Sequence, residues 1–388
     1  MLQQLKGLLQ FRNKSNKDPQ VKFSGPIFRG FWQKIIDEKL MVGETISVVA
    51  PMADVTDIAF RTMIAKYSKP HGPDVMWTEF VSADGLCSPG REILKRDLEF
   101  TDIERPIVAQ LFTSSPANMK KAAALCRELG FDGIDINMGC PDKSIEKQGA
   151  GAAHIKDWRR AQEVIRAAQA GAVDIPVSVK TRIGYNKVEF MEWLPKILEC
   201  NVPVLTVHLR TRKEMSLVDA HWDMMPEIVK LVRDMTGELK DGGTIILGNG
   251  DVKSVTEGKR LAKETRCDGV MVGRGIFGTP WFFHDADLSD DSFGPGSVDS
   301  GHLRSQATRT TQTNTKSTEE RLRIMVEHTR LYEEKLGDIK SFAIMKKHYK
   351  AYVNGFDGAK ELRVKLMECS SGNEIEEVIE SWLAHATH

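Results

Sequence analysis

The sequence predicts a (β/α)8 TIM barrel followed by a small C-terminal helical domain. Eight short apolar runs alternate with helical patterns between residues 46 and 285. Apolar runs without alternation indicate strands that are buried on both faces, as in a parallel sheet. Eight such units over this length are typical of a barrel. A doubly wound open sheet is the alternative, but no G-x-G-x-x-G motif follows the first strand.

The predicted strands end where polar side chains begin. Strands are expected at 46–50, 75–77, 107–109, 134–136, 177–179, 204–207, 245–247 and 270–272. The residues at or just after their ends include Gln110, Asn137, Lys180, His208, Asn249 and Arg274. Any one of these alone could be ordinary loop solvation. Because active sites of barrels form at the carboxyl ends of the strands, we expect these side chains to converge on one rim.

Helices are predicted between the strands and after them. Ser115 with Pro116, Asp157, and a capping box at 254–257 mark three of the helix starts. The expected spans within the barrel are 57–67, 91–98, 116–129, 158–170, 188–200, 223–235 and 254–265.

Composition divides the chain into four predicted parts. Residues 1–45 form a basic N-terminal extension, and residues 46–285 form the barrel. Residues 286–318 are rich in Ser, Thr, Gly and Gln and poor in large apolar residues, which predicts a flexible linker. Helical spacing returns over 319–388 and predicts the helical domain.

The overall composition is that of a globular protein, with 41% hydrophobic and 28% charged residues in a chain of 388. The sequence contains no apolar run long enough to span a bilayer and no secretory signal at its start, so we expect a cytoplasmic protein. Six cysteines without a C-x-x-C pair or zinc-finger spacing favour free thiols and no metal site.

Positive charge is concentrated in two segments, although the net charge of the chain is zero. Residues 1–40 carry eight Lys and Arg against three acidic residues, and residues 340–365 carry seven against two. Each segment therefore has a balance of +5. On charge alone, solvated faces are the simpler interpretation.

Cys140 lies in a stiff turn after the fourth predicted strand. Asn137, Gly139 and Pro141 surround it, and Pro141 ends any strand. A single cysteine is more often a buried packing residue. The glycine and proline flanks favour a functional thiol at this position.

The loops after the last two strands favour phosphate binding. Gly248-Asn249-Gly250-Asp251 and Gly273-Arg274-Gly275 allow backbone N–H groups to approach an anion, and Arg274 can add a charged fork. Barrels commonly hold a phosphate at this position. Ordinary turn glycines are the alternative.

Lys180 has two possible roles at the rim. It could be a Schiff-base nucleophile, or it could place a positive charge beside a cofactor ring that becomes anionic on reduction. Further cations follow on the neighbouring strand ends, namely Arg182, Arg210, Arg212 and Lys213. So many cations favour a polyanionic substrate.

An ordered set of motifs resembles the tRNA-dihydrouridine synthases. The set covers residues 46–285, and Lys346-Lys347-His348-Tyr349 and Leu362-Arg363 extend it into the tail. The motifs are Val49-Ala50-Pro51-Met52, Val108-Ala109-Gln110-Leu111-Phe112, Asn137-Met138-Gly139-Cys140-Pro141, Lys180-Thr181-Arg182-Ile183-Gly184, Val207-His208-Leu209-Arg210-Thr211, Gly248-Asn249-Gly250-Asp251 and Gly273-Arg274-Gly275-Ile276-Phe277-Gly278-Thr279-Pro280-Trp281.

The resemblance implies an FMN-bearing barrel that uses NADPH to reduce the C5–C6 double bond of selected uridines in tRNA. It implies that Cys140 is the proton donor to C5 and that Asn137 holds the uracil edge. The flavin contacts that it implies are Pro51, Met52, Ala53, Gln110, Lys180, His208, Asn249, Gly250, Asp251, Gly273 and Arg274. We expect further tRNA contacts from Arg182, Arg210, Arg212, Lys346, Lys347 and His348. We also expect a monomer.

Three alternatives compete with this interpretation. A flavin barrel that reduces a small molecule is disfavoured by the cationic rim and the basic segment 340–365. A lyase or aldolase that uses Lys180 as a Schiff base would need no flavin. A non-catalytic RNA-binding barrel is disfavoured by the presence of Cys140.

Overall fold

The structure, a computed structural model, describes residues 27–284 and 316–386. A sheet of eight parallel strands forms its centre, and this confirms the predicted fold class. Each predicted apolar run overlaps one strand. The strands are β1 Ile46–Val49, β2 Met76–Ser82, β3 Ile107–Phe112, β4 Gly133–Met138, β5 Val177–Arg182, β6 Val204–His208, β7 Ile245–Asn249 and β8 Gly269–Val272.

The sheet closes on itself between the first and second strands. Strands β2 to β8 are neighbours in chain order, and β8 pairs with β1. The backbone N–H of Val49 donates to the carbonyl of Val75 across 3.1 Å, and the N–H of Asp74 donates to the carbonyl of Ser47 across 2.9 Å. Strand ends that are distant in sequence therefore meet at one mouth.

The helices of the barrel begin at the caps that the sequence indicates. Ser115 accepts a hydrogen bond from the Asn118 N–H, and Asp157 accepts one from the Arg160 N–H. Only half of the predicted capping box forms, because the Glu257 carboxylate accepts from the Lys253 N–H. The helices of the barrel part are α1 Trp32–Glu38, α2 Ile58–Ser68, α3 Ala83–Leu86, α4 Arg91–Lys95, α5 Pro116–Glu128, α6 Lys143–Lys147, α7 Trp158–Ala172, α8 Phe190–Leu198, α9 Met225–Thr236 and α10 Val255–Thr265.

Helix α1 closes the floor of the barrel. Trp32 and Ile36 are buried in the apolar cluster that fills the barrel interior, and the ring centroids of Trp32 and Trp77 lie 6.0 Å apart. Residues 27–45 of the predicted N-terminal extension therefore pack as part of the barrel. Residues 1–26 lie outside the described residues.

Four further helices form a C-terminal helical region, α11 Thr318–Leu336, α12 Lys346–Tyr352, α13 Ala359–Glu368 and α14 Gly372–Ala386. Helix α11 includes the last residue of the predicted linker, and Ser317 caps it in a full capping box with Glu320. The remainder of that linker, up to residue 315, is outside the described part of the chain. Ile58 and Met63 of α2 share one buried cluster with Leu322 and Met325 of α11, so the helical region is docked on the barrel.

Residues 27–284 and 316–386 contain neither a membrane-spanning helix nor a metal-binding cluster. No helix in these ranges is long and apolar enough to cross a membrane. The same ranges contain no group of His, Cys, Asp and Glu side chains arranged to hold a metal ion.

Candidate active site

A cavity of about 330 Å³ opens at the carboxyl ends of the strands. Its volume falls within the range of roughly 300–1,000 Å³ that is usual for ligand pockets. Most of the predicted site residues line it, namely Pro51, Met52, Gln110, Asn137, Cys140, Lys180, Arg182, His208, Arg210, Asn249, Gly250, Asp251, Gly273 and Arg274. The cavity is lined from all eight strands or the loops that follow them, with Phe80 contributed by β2.

A buried hydrogen-bond network fixes the orientation of Gln110. Its Nε2 donates to Asp135 Oδ2 across 2.6 Å, and its Oε1 accepts from Asn137 Nδ2 across 3.0 Å. Ser178 Oγ donates to the second oxygen of Asp135. Burial raises the pKa of Asp135 to about 6, and its hydrogen bonds with Gln110 and Ser178 oppose that rise. One N–H of Gln110 is left to face a ligand.

Lys180 projects from β5 beside this network. Burial, with the charge of Arg182, lowers the pKa of Lys180 to about 8, while the Asp135 carboxylate pulls it upward. The side chain is therefore mostly protonated at neutral pH. It supplies a fixed positive charge at the centre of the cavity.

The Cys140 turn is held from two sides. Asn137 Oδ1 accepts the backbone N–H groups of Gly139 at 3.1 Å and Cys140 at 2.9 Å. On the other side, the Ala152 N–H donates to the Cys140 carbonyl across 2.9 Å. The Asn137 oxygen accepts two hydrogen bonds from this turn, and one N–H of its amide donates to Gln110. The second N–H therefore remains for a ligand.

Burial raises the pKa of the Cys140 thiol. The nearby charges of Arg182 and Lys180 pull in the other direction but do not outweigh burial. The thiol is half-buried and faces the cavity, and it is neutral at pH 7. A neutral thiol can donate a proton, whereas a nucleophilic cysteine needs the thiolate.

Two arginines converge on one carboxylate at the far end of the cavity. Arg210 and Arg274 both pair with Asp251, and Arg274 does so across 3.1 Å. Burial alone would raise the pKa of Asp251, but the Ala220 N–H and the two arginines outweigh it and lower the pKa. Asp251 is therefore ionised and aligns the two guanidinium groups.

His208 lies within the same group and is neutral. Burial, followed by the charges of Arg182, Lys180, Arg210 and Arg274, lowers the pKa of His208 well below its usual value. Arg210 Nη1 lies 3.1 Å from His208 Nε2, which can accept a hydrogen bond in the neutral ring. Because these four cations act on His208 together, this part of the cavity favours an anion. Arg210 is only 2% exposed and lines the cavity, so its predicted contact with tRNA stays a prediction for a nucleotide inside the cavity.

Five predicted site residues do not line the cavity. Ala53 is exposed on the loop beside Met52. Arg212 pairs with Glu146, and Lys346 donates to the Met367 carbonyl across 2.6 Å. The remaining two, Lys347 and His348, lie on helix α12.

His348 corrects an expectation from the sequence. It is fully buried, and its ring centroid lies 5.2 Å from that of Phe60 and 4.9 Å from that of His328. Burial lowers its pKa well below the usual value, so the ring is neutral. His348 packs the junction between the barrel and the helical region and cannot reach a tRNA.

Asp135, which lies behind the cavity wall on Gln110, and several residues of the wall itself were not predicted from the sequence. Asp135 stands inside an apolar run, two residues before Asn137 and therefore on the same face of the strand. That spacing was a usable signal. Phe80, Met215 and Ser216 line the cavity, but no local pattern marked them.

Comparisons with known proteins agree on one family. Residues 48–387 match the family model described as "Dihydrouridine synthase (Dus)". The "Probable tRNA-dihydrouridine synthase 2" of Bacillus subtilis is 36% identical over 338 residues, which is 86% of this chain and 93% of the relative. The "Probable tRNA-dihydrouridine synthase" of Staphylococcus epidermidis is 35% identical over 340 residues, 87% of this chain and 93% of the relative.

Similarity to solved structures is more distant. An old yellow enzyme homologue from Zymomonas mobilis has a TM-score of 0.41 and 12% identity, covering 61% of this chain and 86% of that one. This likeness is too weak to support the assignment, which rests on the family match and the sequence relatives. On those two grounds the chain belongs to the dihydrouridine synthase family of flavin-dependent oxidoreductases.

Proposed function

We propose that this chain reduces the C5–C6 double bond of specific uridines in tRNA, with Cys140 as the proton donor and NADPH as the reductant. The neutral Cys140 thiol in the same cavity as Lys180 is the observation that carries this proposal. Lys180 lies on β5 and Cys140 follows the neighbouring strand β4. These two strands pair with Asn137 opposite Lys180. Hydride on C6 and a proton on C5 together give the dihydro product.

FMN is the cofactor of this enzyme class, and the cavity residues fit it. The cationic end at Arg210 and Arg274 suits the phosphate, with the open backbone of Gly250 and Gly273 beside it. Bound FMN supplies the hydride that uracil receives. Gln110 and Lys180 offer an N–H group and a positive charge to the heteroatoms of the ring, which is the tuning that a protein gives to a flavin.

Cys140 supplies the proton that the reaction needs at C5. Hydride addition at C6 leaves negative charge at C5, and the thiol hydrogen is available to quench it. Asn137 fixes the turn that carries the thiol and presents one amide N–H to the uracil. The resulting thiolate would lie near Arg182 and Lys180, whose charges stabilise it until a proton returns.

The helical region offers cations to a tRNA backbone. Lys350 and Lys360 are exposed and, with Arg363, line a groove on α12 and α13. A polyanion that reaches from this groove to the cavity would place one nucleotide at Cys140. We propose that the protein acts on tRNA in this way as a monomer.

An anaerobic half-reaction experiment tests the function. The purified protein should be yellow, heat should release FMN, and NADPH should bleach the flavin band faster than NADH does. tRNA that lacks dihydrouridine should then restore the band and gain dihydrouridine. Colourless protein that cannot be reconstituted with FMN, or reduced protein that tRNA does not reoxidise, would refute the proposal.

A further inference from the structure

The pairing of β2 is irregular next to Glu79. The pairing of β2 with β3 shifts register between Trp77 and Phe80, so the simple alternation of side chains is interrupted there. Phe80 consequently lines the cavity. Bulges are common next to active sites, and Glu79, the carboxylate at this irregularity, is only 5% exposed.

Glu79 holds the loop that precedes α2. Its Oε1 accepts the backbone N–H of Asp54 in a short hydrogen bond. Asp54 has a φ of +53°, in the left-handed region that non-glycine residues rarely adopt. Such a conformation persists where its surroundings fix it. Pro51 and Met52, three and two residues before Asp54, line the cavity.

The second oxygen of Glu79 belongs to a contact with the helical region. Lys340 Nζ lies 2.7 Å from Glu79 Oε2 and 2.8 Å from Asp97 Oδ1. Lys340 follows α11, whereas both carboxylates belong to the barrel. The side chains of Lys340, Glu79 and Asp97 are 15%, 7% and 22% exposed, so water screens the contact poorly.

The negative charge of the buried Glu79 carboxylate is stabilised by Lys340. Burial raises the pKa of Glu79, while Lys340 pulls it down. Burial also disfavours charge on Lys340, but the Glu79 and Asp97 carboxylates outweigh that effect and raise its pKa. Lys340 therefore stays charged and keeps a buried carboxylate available to the Asp54 N–H.

We propose that Glu79 is a positioning residue for the loop 51–54 at the cofactor cavity, and that Lys340 couples the geometry of this loop to the docking of the helical region. The proposal rests on the proposed function in one respect, that loop 51–54 contacts FMN. Neither Glu79 nor Lys340 lines the cavity, so both act through the loop. The region that offers its cations to tRNA would then also set the affinity of the barrel for its cofactor.

FMN binding to the flavin-stripped full chain measures this coupling. FMN would be titrated by quenching of its fluorescence into the wild type, Lys340→Met, Lys340→Arg, Glu79→Gln and the double variant Lys340→Met with Glu79→Gln. Asp338→Asn is the matched control. It removes another ion pair between the two parts, Arg96–Asp338 at 3.1 Å, only two residues from Lys340 and without contact to Glu79.

Lys340→Met and Glu79→Gln should each weaken FMN binding by about tenfold, the order expected for a lost hydrogen bond between charged groups. The double variant should lose little more FMN affinity than either single variant, because each single substitution already breaks the Glu79–Lys340 pair. Lys340→Arg should restore most of the affinity, and Asp338→Asn should bind FMN as the wild type does. Melting temperatures of the stripped proteins separate loop positioning from loss of folding.

The outcomes are distinguishable. If Lys340→Met and Glu79→Gln bind FMN as tightly as Asp338→Asn, the coupling is refuted while the proposed function stands. Additive losses in the double variant would refute it as well. If Lys340→Met does not fold, the FMN affinity of Glu79→Gln compared with that of Asp338→Asn decides whether the coupling exists. A wild-type chain that binds no FMN would instead overturn the proposed function.

Discussion

The carboxamide oxygen of Asn137 accepts the backbone N–H of Cys140 across 2.9 Å, and its nitrogen donates to Gln110 across 3.0 Å. One side chain thus orients both the Cys140 thiol and the Gln110 amide. The proposed proton donor and the proposed flavin contact are consequently placed by the same residue.

Replacing Asn137 should disturb proton transfer more than cofactor binding. Asn137→Ala removes both hydrogen bonds to the Cys140 turn, and misplacing a reacting group by about 1 Å can cost on the order of a hundredfold in rate. We expect reoxidation of the reduced flavin by tRNA to slow by about that factor in stopped-flow experiments. Asn118→Ala is the control, because the Asn118 amide binds Asp84 away from the cavity. Equal rates in the two variants would contradict the positioning role.

Removing the thiol should affect only the second half-reaction. Cys140→Ala should keep FMN, bind tRNA and accept hydride from NADPH, while reoxidation by tRNA slows by about 10²–10⁴-fold, as is typical after loss of a general acid. Cys87→Ala should behave as the wild type, because Cys87 is exposed in a different groove beside Lys121. Wild-type reoxidation in Cys140→Ala would assign the proton to another group.

The two arginines on Asp251 should contribute unequally to FMN retention. The Arg274 side chain is 62% exposed, whereas that of Arg210 is 3% exposed and also reaches His208. We therefore expect about tenfold weaker FMN binding in Arg274→Ala and about a hundredfold in Arg210→Ala. Arg212→Ala should change nothing in this titration, since Arg212 pairs with Glu146 outside the cavity. A reversed order of the first two would place the phosphate elsewhere.

The salt dependence of tRNA binding should identify the cations that grip the backbone. Each lost phosphate contact lowers the slope of log K against log salt by about 0.7–0.9. The double variant Lys350→Met with Lys360→Met should lower this slope by the amount expected for about two lost phosphate contacts. Lys346→Met with Lys347→Met should have a smaller effect, because Lys346 already donates to the Met367 carbonyl. An unchanged slope in the first pair would show that the groove on α12 and α13 does not hold tRNA.

The rate of flavin reduction by NADPH should fall in alkaline solution. The lowered pKa of Lys180, about 8, means that this side chain is charged below that pH and neutral above it. The positive charge that stabilises a reduced, anionic ring is therefore lost as the pH rises through 8. We expect the rate of flavin reduction by NADPH to fall across that range, measured from pH 6.5 to 9.5. Lys180→Met should be slow throughout and lack the step.

The barrel and its rim could be predicted because both depend on local patterns. Continuous apolar runs identify doubly buried strands, and the residue after each run is at the mouth by topology alone. That rule located Gln110, Asn137, Lys180, His208 and Asn249 correctly in the cavity. The glycine and proline neighbours of Cys140 indicated a functional thiol, and its proton-donor role, which the family resemblance implies, stays a prediction.

The missed features depend on contacts between distant parts of the chain. The apolar run that predicts the second strand ends at Trp77, so it shows neither the register shift that follows nor the contacts of Glu79. Lys340 was counted only as part of a basic segment, yet its partners lie more than 240 residues earlier. His348 was assigned to tRNA from its neighbours Lys346 and Lys347, although the helix turns it into the junction. Charge and motif counts do not show which side of a helix is covered.

Helix α1 has a practical consequence for anyone who shortens this protein. The family match begins at residue 48, and a truncation designed from that boundary would delete the helix and the start of β1. Trp32 would no longer cover Trp77, and loss of a buried Trp alone typically costs about 3–5 kcal/mol. The open end of the barrel would present an apolar surface that favours aggregation. A minimal fragment should therefore start no later than residue 27, well upstream of the segment that the family match covers.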